Sequence, residues 1–325
     1  MAQSLNARLY DARGNRYVVA TPAMVRAAGI ALPESAAAAA RAHAAWSLRA
    51  VDDFCRVSPG PGDRPHRSDG LLIGPFGDGP PYALLVVNTD GSLAERSGNG
   101  LTIFATSLRD GGAKFDGEFE LVVHHGAGAT RVAAAFAQRG GRGGVWLDLG
   151  VARFGAHEVG AREGTYEALA DGRCRVGALA AIDGAWTSTQ FVRIGNPHAV
   201  TLLPDADLLP DLTRVSAETR SALRQIADAQ SARGGGAVCP AGINLQWAAK
   251  TGAARIDARV FERGEGPTAS SGSSASAVAA AALKAGWVAG PEIEVAMPGG
   301  VAPLLAQPED GSWRLKLFGE ARRVS

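Results

Sequence analysis

Asn88-Thr89-Asp90-Gly91-Ser92-Leu93-Ala94-Glu95-Arg96-Ser97-Gly98-Asn99-Gly100, which runs into the apolar segment 101–108, has an altered copy in the other half of the chain. The second stretch is Glu262-Arg263-Gly264-Glu265-Gly266-Pro267-Thr268-Ala269-Ser270-Ser271-Gly272-Ser273-Ser274, running into 275–283. In each, a hydroxyl residue, a glycine and a small polar residue stand just ahead of a segment that reads as a helix. Helix N-termini carry backbone N–H groups outside the intrahelical ladder and a partial positive charge, and glycine lets a ligand approach them closely. The pattern suits an anion such as a carboxylate, and two such ends facing one another would grip it from both sides. Residues 82–88 and 256–261 read as the buried strands that deliver the two stretches. The repeated strand, glycine turn and helix imply an α/β chain of two pseudo-symmetric domains with a site in the cleft between them.

The composition narrows the partners. The chain has 325 residues, enough for two domains with separate cores, with 46% hydrophobic and 20% charged residues and a net charge of +1. Neither nucleic acid nor an acidic membrane has an electrostatic claim on such a chain, so a small molecule is the expected partner. Residues 1–10 are polar, and no long uncharged apolar run occurs, so the expected location is the cytoplasm. Cys55, Cys174 and Cys239 are widely spaced and read as reduced thiols. Adjacent residues on a strand point to opposite faces, which argues against His124-His125 as a metal site. The run Arg139-Gly140-Gly141-Arg142-Gly143-Gly144 reads as a hairpin loop rather than a nucleic-acid segment.

Along the chain, residues 9–20 read as two short strands about a turn at 12–15, where Asn15 either presents its side chain to a ligand or takes a positive φ. Residues 34–46, with five consecutive alanines, read as one helix, and 56–69 as a loop. A strand is expected over 189–194, ending in Gly195-Asn196-Pro197-His198, and another over 239–247 that Asn244 interrupts. Gly234-Gly235-Gly236 reads as a flexible break.

The Asn-x-Asp-Gly-Ser stretch leading to Ser97-Gly98-Asn99-Gly100, the Gly195-Asn196-Pro197-His198 turn, and Glu262-Arg263-Gly264 leading to Ser271-Gly272 resemble the diaminopimelate epimerase family. Asn15 is similar to the family's N-terminal Gly-Asn turn, and 295–300 to its late Pro-Gly-Gly turn. The resemblance implies two similar domains, each a mostly antiparallel sheet wrapped around a central helix. By this comparison one domain spans 1–125 with 312–325 and the other 126–311. It also implies chemistry without metal or cofactor, in a monomer or homodimer: a cysteine from each half faces the substrate α-carbon, one removing a proton and the other returning one.

Both cysteine positions are serine here, Ser97 and Ser271. A thiol ionises near pH 8.5, and a serine hydroxyl is weaker by roughly five units, so its alkoxide costs on the order of 7 kcal/mol more and slows proton abstraction about 10⁵-fold unless another base helps. The family residues that bind the non-reacting amino-acid head match Asn88, Asn196, Asn244, Glu262 and Arg263. A bidentate grip by Arg263 on a carboxylate and an answer by Glu262 to an ammonium are the chemistry implied. At the reacting end the pattern erodes. A family glutamine corresponds to Gly70, a glutamate to Pro267, and Gly-Thr-Gly or Gly-Ser-Gly has become Gly272-Ser273-Ser274. Changes in the neighbours as well as in the serines point to natural divergence.

By resemblance His198 lies near the catalytic pair; it is either the remaining base, acting on Ser97, Ser271 or the substrate, or a cap of its turn. Gly98, Asn99, Gly272 and Ser273 are expected to contribute to the carboxylate cradle. Three activities fit: a cofactor-independent isomerase on an amino-acid substrate with a diaminopimelate-like head, a Ser/His-assisted elimination, cyclisation or hydrolysis, and a non-catalytic binder. No Gly-x-Ser-x-Gly elbow is present, which disfavours hydrolases of that type.

Overall fold

The computed structural model describes residues 7–56, 66–126, 128–230 and 235–324. It is mixed α/β, and its contacts divide it into two compact units, Met1–Asp148 with Gly319–Ser325, and Leu149–Phe318. Most of the loop expected over 56–69, and the first glycine of the 234–236 break, lie outside the described residues.

The first unit starts with a hairpin of Arg8–Ala12 (β1) and Asn15–Ala20 (β2), in which Ala12 pairs with Asn15. Positive φ falls on Arg13, at 54°, and on Gly14, so Asn15 is a strand residue and not the strained residue of the turn. Three short helices follow, Pro22–Ala27 (α1), Ala36–Arg41 (α2) and Ser47–Cys55 (α3). The single helix expected over 34–46 breaks after Arg41, passing through a 3₁₀ turn at His43–Ala45. Trp46 explains the break: it is 2% exposed, and its indole N–H donates to Ala39 O at 3.0 Å. Burying that ring within this core outweighs the small helix propensity of a few alanines.

Gly70–Ile73 (β3) runs parallel to β2, and Tyr82–Asn88 (β4) antiparallel to β3. Gly98–Asp110 (α4) then packs against β1 and β2 with most of its surface buried. Glu118–His125 (β5), Gly128–Arg139 (β6) and Arg142–Val151 (β7) form an antiparallel meander that joins β4 through β5.

The second unit opens with small pieces: Arg153–Phe154 (β8), Ala156–Val159 (α5), Tyr166–Ala168 (β9), Cys174–Val176 (β10) and Gly177–Ile182 (α6). Thr189–Ile194 (β11) and Asn196–Leu203 (β12) make a hairpin, followed by Ala217–Ala227 (α7). Asn244–Lys250 (β13) lies parallel to β12 and antiparallel to Arg255–Glu262 (β14), whose end folds back as Gly266–Thr268 (β15). The strand expected over 239–247 begins at Asn244, because Cys239 to Gly242 closes a turn with a Gly242 N–H to Cys239 O bond of 2.8 Å.

Gly272–Lys284 (α8) is the centre of this unit. Glu292–Met297 (β16), Gly300–Glu309 (β17) and Ser312–Gly319 (β18) complete the strands around it. The helix packs against β11, β12, β13, β14, β16 and β17, and eleven of its thirteen residues are buried. A helix apolar on all sides belongs inside, and its run of alanines lets strands approach closely.

Candidate active site

In the first unit Asn88 ends β4 and closes a tight turn: its Nδ2 donates to Ser92 Oγ at 2.9 Å, and Ser92 Oγ donates to Asp90 Oδ1 at 2.6 Å. The returning chain bonds β4 through Ala94 N–H to Val86 O, and reaches α4 at Ser97. Ser97 is extended, with φ −135° and ψ 116°, and its Oγ accepts the Gly100 N–H at 3.0 Å. This is an N-cap, which leaves the N–H groups of Gly98 and Asn99 outside the helical ladder. Asn99 is buried at that helix start, and Thr102 Oγ1 donates back to Gly98 O at 2.9 Å.

The second unit repeats this geometry residue for residue. Ser271, with φ −144° and ψ 123°, caps α8 by accepting the Ser274 N–H at 3.3 Å. Gly272 and Ser273 take the places of Gly98 and Asn99, and Ser276 Oγ donates to Gly272 O at 3.0 Å where Thr102 does so in the first unit.

Around Ser271 the structure gathers several of the expected residues. Ser271 Oγ donates to Glu262 Oε1 at 2.7 Å and lies 3.5 Å from Ser273 Oγ. Burial pushes the Glu262 carboxyl above the ordinary carboxylate range, and Glu265 adds to the rise. Hydrogen bonds from Ser271 and Thr268 pull the other way without cancelling it. Arg263 is exposed; its backbone N–H donates to Asn244 Oδ1 at 2.9 Å, and Nη1 donates to Ala241 O at 2.6 Å. Gly242 beneath it has φ +78°, and a Cβ there would lie 2.4 Å from Arg263 Cδ, so only glycine fits. Asp228 Oδ1 accepts the Gly264 N–H at 2.8 Å and fixes the far side of the same turn.

His198 is fully buried beside Asn244 in the β12–β13 pairing. Its Nδ1 is 3.0 Å from Gln246 Nε2, which donates to Ser274 Oγ at 3.0 Å. The imidazole therefore reaches Ser271 by way of Gln246 and Ser274, whereas the Glu262 carboxyl touches the Ser271 hydroxyl. Asn196 starts β12 half-buried, opposite Ile194.

The partner of Ser97 that sequence reasoning missed is Tyr17, whose hydroxyl lies 3.4 Å from Ser97 Oγ. Its signal was present: Tyr17 follows Asn15 by two residues, and a strand's period of two puts both on one face. Arg96, immediately before Ser97, has its guanidinium pKa lowered by burial, against the opposing influence of Asp148 and Glu95.

The three cysteines offer no ready thiolate. All are buried, burial raises the pKa of each, and Cys239 is pushed up to about 11. A thiol that resists ionisation is a poor base. Among the described residues no group of three or more His, Cys, Asp or Glu is placed to hold a metal ion. No helix among them is long and apolar enough to cross a membrane.

Comparison with known proteins places this doubled turn in context. A family model described as diaminopimelate epimerase matches residues 190–324. Diaminopimelate epimerase 2 from Nostoc sp. is 31% identical over 234 residues, covering 72% of each chain. A crystal structure of a phenazine biosynthesis protein of the PhzF family from Bacillus anthracis superposes with a TM-score of 0.60 at 11% identity, covering 98% of this chain and 96% of that one. A hydroxyproline epimerase from Agrobacterium vitis, solved with bound trans-4-hydroxy-L-proline, gives 0.58 at 14% identity, covering 98% and 90%. At such identities the two structures speak for the fold, and the Nostoc relative carries the assignment: the chain with its two serine-capped helices belongs to the diaminopimelate epimerase family.

Proposed function

We propose that the protein is a cofactor-independent isomerase that moves a proton next to a carboxylate, on an amino-acid substrate with a diaminopimelate-like head. The observation that carries this reading is the 2.7 Å bond from Ser271 Oγ to Glu262 Oε1 at the start of α8. A serine hydroxyl alone is too weak an acid to replace a thiol, but a carboxylate with a raised pKa is a stronger base than an ordinary one. As Ser271 Oγ takes the α-proton, Glu262 takes the hydroxyl proton from Ser271. The C–H bond breaks, its electron pair spreads into the carboxylate, and the proton count of the pair rises by one. The N–H groups of Gly272 and Ser273 oppose the charge developing on that carboxylate.

Substrate choice rests on Arg263 and Asn244. One guanidinium N–H is engaged by Ala241 O, leaving donors of the fork to a carboxylate, and Asn244 keeps its amide N–H₂ after accepting from Arg263. Asn88, Asn196 and Asn15 are proposed as further contacts and His198 as a supporting base, on the family resemblance. The activity is expected in the cytoplasm.

Incubation in D2O with L,L- or meso-diaminopimelate tests this reading. Deuterium is expected to wash into the α-position with the wild type and to be lost by about 10²-fold or more in Ser271→Ala and Glu262→Gln. Calorimetric binding without any exchange would instead establish a binder, the competing reading that the retained helix ends and altered acid–base residues favour.

A further inference from the structure

The first unit differs from the Ser271–Glu262 pair of the second: among the described residues, Ser97 Oγ meets the Gly100 N–H and a phenol. That phenol is Tyr17. It is 6% exposed, lies in the middle of the β1–β2–β3 register opposite Tyr10 and Gly70, and brings its hydroxyl to 3.4 Å from Ser97 Oγ. The ring has room because residue 70 is glycine. A Cβ there would stand 2.8 Å from Tyr17 Cε1 and 2.5 Å from Val87 O. The side chain absent at 70 and the phenol present at 17 are two halves of one arrangement.

Gly100 N–H already fills one acceptor site of Ser97 Oγ, so the remaining hydrogen-bonding capacity of that hydroxyl can be exchanged with Tyr17. A phenol ordinarily ionises near pH 10, roughly 1.5 units above a thiol and far below a serine hydroxyl. It supplies the acidity that the cysteine-to-serine change removed. The other titratable or charged groups on the elements packed about Tyr17 include Arg8 and Asp11 on β1, Arg16 on β2, and Cys55 of α3, whose Sγ donates to Gly70 O at 3.7 Å. On β1, Tyr10 bonds Asp110 Oδ2 at 3.0 Å, and burial with Asp110 raises its pKa. Ahead of β3, Asp69 accepts the Arg16 N–H, and Arg96 precedes Ser97 at the α4 end.

We infer that Tyr17 is a positioning and proton-relay residue for Ser97, its phenolate taking the serine hydroxyl proton as Ser97 Oγ takes a proton from the substrate α-carbon. The C–H bond breaks, the electron pair remains with the α-carbon and its carboxylate, and the Tyr17 O–H bond forms. The reverse sequence delivers a proton to carbon. The relay rests on the isomerase reading above.

Exchange of deuterium into diaminopimelate, followed against pH, tests it. Tyr17→Phe is expected to slow exchange by about 10²-fold and to remove the alkaline rise of the rate. Incorporating 3-fluorotyrosine at position 17, a more acidic phenol, is expected to move that rise to lower pH. A purely structural role for the ring would leave the profile in place, so a Tyr17→Phe enzyme with unchanged profile and rate overturns the relay while leaving the isomerase reading intact. Fluorine NMR of the fluorinated protein gives a readout without turnover: Ser97→Ala is expected to shift the titration midpoint of the phenol. An unmoved midpoint refutes the pairing, and a wild type that exchanges no deuterium removes both the isomerase and the relay.

Discussion

The two serine-capped helices share a backbone and differ in what touches the serine. Ser97 and Ser271 have φ and ψ within 10° of each other, each accepts an N–H from three residues on, and each begins a helix of thirteen residues with a hydroxyl back-bonded from the first turn. Yet Ser97 faces the phenol of Tyr17 and Ser271 faces the carboxyl of Glu262. The cap is set by helix geometry and is the same in both units, whereas the group beside the serine comes from a strand and differs. The two serines are thus answered by different groups, Ser97 by a phenol on β2 and Ser271 by an acid at the end of β14.

The comparison is broken most decisively by placing thiols at both positions. Ser97→Cys with Ser271→Cys is expected to raise deuterium exchange by about 10³- to 10⁵-fold, since a thiol is more acidic than a serine hydroxyl by roughly five units. Activity that failed to rise would mean that the surroundings of each serine, Gly70 with Tyr17 in the first unit and Pro267 at β15 in the second, matter beyond the serines themselves. The scaffold would then be inherited without the reaction.

A smaller effect isolates the scaffold from the chemistry. Because the two caps have the same geometry, Ser97→Ala and Ser271→Ala should each destabilise the fold by about 1 kcal/mol, measured by urea denaturation. Near-equal costs support a common architecture on which the chemistry is mounted. If Ser271→Ala cost clearly more than Ser97→Ala, the lost hydroxyl donor to the half-buried Glu262 would have added to the lost cap, and the two turns would not be equivalent in energy.

How far these features could be read from the chain depends on their range. The strands at 82–88 and 256–261 and the helices beginning at Gly98 and Gly272 are legible because periodicity and caps are local. The helix over 34–46 is misread because alanine content says nothing of where Trp46 must be buried. Ala156–Val159 and Gly177–Ile182 are too short to leave a periodic trace. In the site, Glu262, Arg263, Asn244 and the serines stand in recognisable motifs. Gln246 does not, and Tyr17 shows only a shared strand face with Asn15; their partners are 48 and 80 residues away in sequence, and only the folded sheets bring them together. The Glu262–Ser271 bond lies between, nine residues apart, but a glutamate read as an ammonium ligand conceals its contact with the hydroxyl.

The smallest effect separates the two serines by pH. Burial raises the Glu262 pKa in the folded protein above its unfolded value of about 4.3, so in the interval between those values the native state binds more protons than the unfolded one. Stability contributed by the protonated carboxyl is therefore full below the unfolded pKa and is lost as pH rises through the folded one. Glu262→Gln has no such loss, and its amide oxygen can still accept from Ser271. Thermal denaturation from about pH 4 to pH 8 should show the variant gaining on the wild type as pH rises, and levelling off once Glu262 is ionised in both states. A gain toward acid would show that the bonds from Ser271 and Thr268 dominate over burial, making the carboxylate the stable form and a weaker base than the relay requires. Tyr17→Phe provides the control, because it leaves Glu262 and its bond from Ser271 in place, so the slope with pH should follow the wild type. The two units would then differ in what answers the serine, a carboxyl whose burial favours its protonated form in one and a phenol in the other.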